Sequence, residues 1–70
     1  MPIDNIAIYL SSYAKAIINT FELCEERGAD RRMIISYLSS EIEKFEKLRE
    51  TVEVALRELK EYREKLEIDE

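Results

Sequence analysis

The 70-residue sequence predicts an all-α fold: a two-helix hairpin, with a short helix over about 4–27 and a long helix over about 31–67, that dimerises into an antiparallel four-helix bundle. Three observations predict it. Gly28 is the only glycine and Pro2 the only proline, so nothing else along the chain breaks a helix. Apolar residues recur every three or four positions on both sides of Gly28. The second periodic stretch outruns the first, which leaves apolar length that one chain cannot cover by itself.

Each element has its own signals. Asp4 is placed to cap the first helix, with Ile3 and Ile8 as a hydrophobic staple around it. Gly28 stands where a left-handed residue ends that helix. Asp30 caps the second, with Ala29 and Ile34 in staple positions, so residues 26–31 read as a tight αα turn. Along the first helix, Ile3, Ile6, Leu10, Tyr13 and Ile17 form a stripe that Thr20 and Cys24 continue. Ala7, Ala14, Ile18 and Phe21 flank it, and the alanines let a neighbouring helix approach closely.

The second helix carries Ile35, Leu38, Ile42 and Phe45, then Leu48, Val52, Ala55, Leu59, Tyr62 and Leu66. The step from Phe45 to Leu48 repeats a three-residue spacing where four is due. Such a stammer rotates the apolar seam at mid-helix. Glu43–Lys47, Glu53–Arg57 and Glu61–Lys65 place a glutamate four residues before a base on the outer face. Each such pair favours the helix by about 0.2–0.5 kcal/mol. Ser40 and Glu43 have capping-box spacing, so a break near Ser39 would give three helices and a compact monomer. Against that break, no glycine or proline marks the point and the apolar spacing runs through it.

Seventy residues make a single domain, 1–70, and one too small to be comfortably stable alone. Chains of this size need a staple. Cys24 is the only cysteine, which excludes an internal disulfide. Histidine is absent, so a tetrahedral zinc site lacks ligands. Self-association is the remaining route. At 1.5 Å per residue the helices would be about 36 and 55 Å long, and the first would cover the second only to about residue 54.

Two copies of the second helix, paired about a dyad near Leu48 or Arg49, would bury the uncovered tail. The interface predicted in this way comprises Ile35, Leu38, Ile42, Phe45, Leu48, Val52, Leu59, Tyr62 and Leu66. A parallel pairing of the tails is the alternative, and Ala55 and Tyr62 at core positions suit it poorly. The layout resembles the Rop-type helical hairpin, which also dimerises into a four-helix bundle. The likeness lies in the layout, so no functional residue is carried over from it.

Chemistry is sparse. Cys24 has no histidine base, and Glu22, Glu25 and Glu26 beside it disfavour a thiolate; it reads as a small core residue. The glutamates lie mostly outside the apolar stripe, without the histidines of a carboxylate-bridged metal site. No Gly-rich phosphate loop exists. No cofactor is expected, and no enzymatic activity. Arg27, Arg31 and Arg32 cluster at the turn as a candidate anion or partner patch. The plainer reading pairs them with Glu25, Glu26 and the acidic tail Glu67, Ile68, Asp69 and Glu70 of a partner chain. Tyr13 and Tyr62 fall in the core register; Tyr9 and Tyr37 read as rim residues.

With 16 acidic against 11 basic residues the net charge is −5, which repels nucleic-acid backbones and anionic membranes on average. The N-terminus lacks the basic region of a signal peptide, and the stretch from Ile3 to Cys24 is too polar to span a bilayer. A cytoplasmic location is expected, and it suits an unpaired cysteine. The absence of Gln, His and Trp beside abundant Glu, Lys, Arg and Ile is a bias common in thermophile proteins. The expected role is a non-enzymatic adaptor or small regulator that binds itself and another protein. The alternative is a Rop-like nucleic-acid-associated regulator using the turn arginines.

Overall fold

A computed structural model of the chain describes residues 2–68. They form two helices, α1 (Ile3–Glu26) and α2 (Arg31–Ile68), and no strand among the described residues. The chain divides between Tyr37 and Leu38 into two compact units. No helix among the described residues is long and apolar enough to cross a membrane.

The first unit holds α1, the turn and the start of α2. Its N-terminal cap corrects the sequence reading. Pro2, in extended conformation, is the N-cap and makes no side-chain cap bond, while Asp4 lies inside the first turn. Asn5 and Ile6 donate to the Pro2 carbonyl at 3.0 and 3.3 Å, so the helix opens two residues earlier than a cap at Asp4 would place it. The Ile3–Ile8 staple loses its geometric basis with that shift. Asp4 still helps, because a carboxylate in the first turn meets the positive end of the helix dipole.

The turn forms as the sequence predicts. Gly28 has φ +86°, a left-handed conformation that costs an L side chain roughly 1–2 kcal/mol. Its N–H donates to Glu25 at 3.0 Å, and the N–H of Ala29 donates to Cys24 at 2.9 Å. These two bonds make a Schellman ending and satisfy carbonyls that α1 would otherwise leave open. Asp30 then caps α2: its Oδ1 accepts from the Arg32 N–H at 3.0 Å. Its carbonyl accepts from Met33 and Ile34 at 3.1 and 3.2 Å.

α2 runs 38 residues without interruption, so the break considered near Ser39 does not occur. Serines at 39 and 40 are neutral in mid-helix when their surroundings are wet, and neither carries a backbone penalty large enough to stop propagation. Thr20 and Thr51 answer their own hydroxyls by donating to Ala16 and Lys47 carbonyls at 2.8 and 3.2 Å.

Burial shows which face of each helix is used. Among the described residues none is fully buried. The half-buried positions are Leu10, Ala14, Ile17, Phe21 and Cys24 on α1, and Ile34, Leu38, Glu41 and Phe45 on α2. Both sets alternate steps of four and three. On α1, Ala14 and Phe21 therefore take the places that the sequence reading gave to Tyr13 and Thr20. On α2, Ile34 and Glu41 replace Ile35 and Ile42.

The cause is a doubled signal. Tyr13-Ala14 and Ile34-Ile35 are adjacent apolar residues, about 100° apart around the helix, so either member of each pair fits the stripe. Glu41 misled the choice because a carboxylate was not expected in the seam. Its side chain is 23% exposed and its Oε1 lies 3.2 Å from Lys44 Nζ. With Ile34 and Glu41 in place, the alternation of four and three continues through Leu48 to Leu66 without an offset. The stammer disappears.

Candidate functional site

Two surfaces carry the residues singled out in the sequence. The first is the turn. Arg27 is the C-cap of α1, and Arg31 and Arg32 are the first two residues of α2. The structure places them within one turn of backbone, as the sequence requires. Arg31 Nε lies 3.1 Å from Glu25 Oε2, with both side chains more than half exposed. That pairing is the plain reading of the patch. It contributes at most about 1 kcal/mol in so wet a setting. Of the acidic tail, Glu67 lies 3.9 Å from Arg63 on its own helix. Asp69 and Glu70 lie outside the described residues.

An aromatic pair also marks the first unit. Phe21 and Tyr37 stack with ring centroids 6.2 Å apart and planes 15° from parallel. Tyr37 was read as a rim residue and its partner was missed. The signal was present: Phe21 and Tyr37 lie equally far from Ala29, the centre of the turn, so an antiparallel hairpin brings them level. Tyr13, read as core, is instead exposed and stacks on Tyr9 at 6.3 Å.

The second surface is the face of the second unit. Every described residue from Glu46 onward is exposed. Leu48, Val52, Leu59, Tyr62 and Leu66 continue the seam in open solvent, with Leu59 at 70% and Tyr62 at 62% exposure. Ile42 and Leu56, one position beside the seam, are exposed as well, at 54% and 49%. Of the predicted interface, Leu38 and Phe45 are half-buried, and Ile35, Ile42, Leu48, Val52, Leu59, Tyr62 and Leu66 are exposed. This is an apolar stripe about five turns long with charged flanks.

Ion pairs on α2 include Lys44–Glu41 and Arg63–Glu67, neither of which is among the three that spacing alone picks out. Exposed pairs of this kind exchange readily, since each is worth a fraction of a kcal/mol.

Chemically, the second unit offers apolar contact and charge, with little else. A shallow depression on α2 is lined by Glu50, Thr51, Val54, Ala55 and Glu58, all from one face of one helix, and it is open to solvent. A small molecule would find no enclosing wall there. Among the described residues no three metal-ligating side chains come together. Cys24 is half-buried and unpaired. Comparison with protein-family models, with curated proteins and with solved structures finds no match to this chain.

Proposed function

We propose that this chain is a non-enzymatic interaction protein that works as a homodimer, serving as a small cytoplasmic adaptor or regulator that contacts another protein. The observation that carries this reading is that none of the described residues is buried, while a long apolar seam is exposed. The chain exposes 6606 Å². A folded monomer of 8.3 kDa exposes about 4,600 Å², and its unfolded form about 12,000 Å². Folding without a partner therefore covers about 45% of the chain's surface, against about 60% for an ordinary domain of similar size.

The excess of about 2,000 Å² per chain is what the surface of a stable homodimer must hide. Two chains together would bury on the order of 4,000 Å², within the range of obligate interfaces. An apolar stripe of this length left in water would also be an aggregation hazard. A dimer removes both problems at once.

Coupled folding and association has a thermal signature. The melting temperature should rise by about 5 °C for each tenfold increase in protein concentration, for a two-chain unit of 140 residues. A melting temperature constant over a hundredfold range of concentration would contradict the homodimer.

The nucleic-acid reading rests on Arg27, Arg31 and Arg32. The Arg31–Glu25 pair and the net charge of −5 weigh against it. It predicts retention on heparin or RNA at low salt, steeply lost as salt rises and abolished by Arg31→Glu. The protein reading predicts flow-through.

A further inference from the structure

We propose that a second copy of this chain lies antiparallel along the α2 seam, which is half-buried at Leu38, Glu41 and Phe45 and exposed from Leu48 to Leu66, with the dyad at Glu50. This inference rests on the self-association reading and adds the topology and register. Its starting point is the seam that burial defines, Leu38, Glu41, Phe45, Leu48, Val52, Ala55, Leu59, Tyr62 and Leu66, which alternates four and three without a break. Two helices joined through such a seam have few allowed alignments, because each shift must preserve the seam and so moves by a whole heptad.

With the dyad at Glu50, Phe45 faces the partner's Ala55, and Leu48 faces the partner's Val52. Leu38 meets the partner's Tyr62. The bulky Phe45 thus lies opposite Ala55, the smallest seam residue, as close packing favours. The flanks agree. Lys44 lies beside the partner's Glu58, twice over by symmetry. Ile42 lies beside the partner's Leu56, which covers two of the exposed apolar residues that flank the seam. Glu41 meets the partner's Leu59 while holding Lys44. Arg49 approaches the partner's Arg49, and Glu46 and Glu53 lie one turn away on the same helix to offset that repulsion.

Every alternative loses one of these agreements. A dyad between residues 53 and 54 sets Lys44 beside the partner's Lys65. A dyad at Arg57 sets Arg49 against the partner's Arg63 and Glu58 against the partner's Glu58. A dyad between residues 46 and 47 pairs Ile42 with the partner's Arg49 and carries Leu66 past the start of the partner's α2. A parallel pairing puts Glu41 on the partner's Glu41, Ala55 on the partner's Ala55 and Lys44 beside the partner's Arg49. Buried like charges and facing alanines are the costliest of these mismatches.

A single spin label reads the alignment. Glu64→Cys on the outer face, in a Cys24→Ser background, carries a nitroxide for dipolar distance measurement. At 1.5 Å per residue the two labels are separated by about 42 Å along the axis, or roughly 42–47 Å with the helix widths included. Neighbouring antiparallel dyads shift the axial value by about 10 Å each way, and a parallel pair brings it to roughly 10–20 Å. Any of those distances overturns the register. A monomer mass in light scattering with no dipolar coupling overturns the self-association reading itself.

A second measurement keeps the native cysteine. Lys44→Glu and Glu58→Lys should each raise the dimer dissociation constant about 2- to 10-fold, and the double variant should lose clearly less than the two changes combined. Additive losses would contradict the register, because in the other alignments these two residues lie turns apart.

Discussion

The two units of this molecule are specified in different ways. In the first, each structural decision is settled by residues a few positions apart: Gly28 ends α1, Asp30 starts α2, Glu25 holds Arg31, and Phe21 stacks on Tyr37. In the second, the helix is secured by propensity and charge spacing, while its large apolar residues from Leu48 to Ile68 are exposed. A local code thus closes a turn, but it does not supply a core. The second unit carries an exposed apolar stripe, which the proposed dimer would turn into half of a core. Stability should accordingly depend on concentration through the second unit and on backbone chemistry through the first.

Substitutions can separate the two. The largest effect is expected from Leu59→Glu in the second unit. It removes two leucines per dimer from the interface and buries charge in their place, a loss of about 3–6 kcal/mol from the leucine transfer alone. The variant should be unfolded or aggregated by circular dichroism and light scattering. A stable monomeric Leu59→Glu protein would show that the seam needs no cover. Next comes Gly28→Ala in the first unit. A methyl group there meets nothing within 4 Å, so the cost is purely the left-handed backbone, about 1–2 kcal/mol.

Gly28→Asn should cost less than Gly28→Ala, since asparagine tolerates that conformation. Equal losses would mean that the turn relaxes. Asp30→Ala should cost about 1 kcal/mol by removing the cap on Arg32 N–H. The smallest change belongs to Arg31→Ala, which breaks a wet ion pair and should lower stability by less than about 0.5 kcal/mol in urea titration. A larger loss would show that the turn arginines are structural to a degree their exposure does not suggest.

The turn was legible because its chemistry is unambiguous: one glycine, one acidic cap and a charge reversal within six residues. The ends of the two helices that meet at it follow to within one residue. The phase of each helix was not legible, and the reason is specific. Adjacent apolar residues at 13–14 and 34–35 each offer two choices, and a pattern that rejects charged residues passes over Glu41. Burial resolves the choice in each unit by itself: Ala14 and Phe21 are half-buried in the first, and Phe45 and Glu41, with its own lysine, in the second. Capping at Pro2 escaped notice for a similar reason: a proline is pre-set for a helix start and needs no side-chain bond to announce it. The surface proposed to bind was visible in sequence as surplus apolar length. Its alignment became readable only after the seam was fixed.

The most direct test of the central claim is the solution mass of the chain by light scattering on a size-exclusion column, at micromolar concentration and physiological salt. Association through the α2 seam predicts twice the 8.3 kDa chain mass, about 16.6 kDa. A mass of one chain, together with a cooperative unfolding transition, would contradict it.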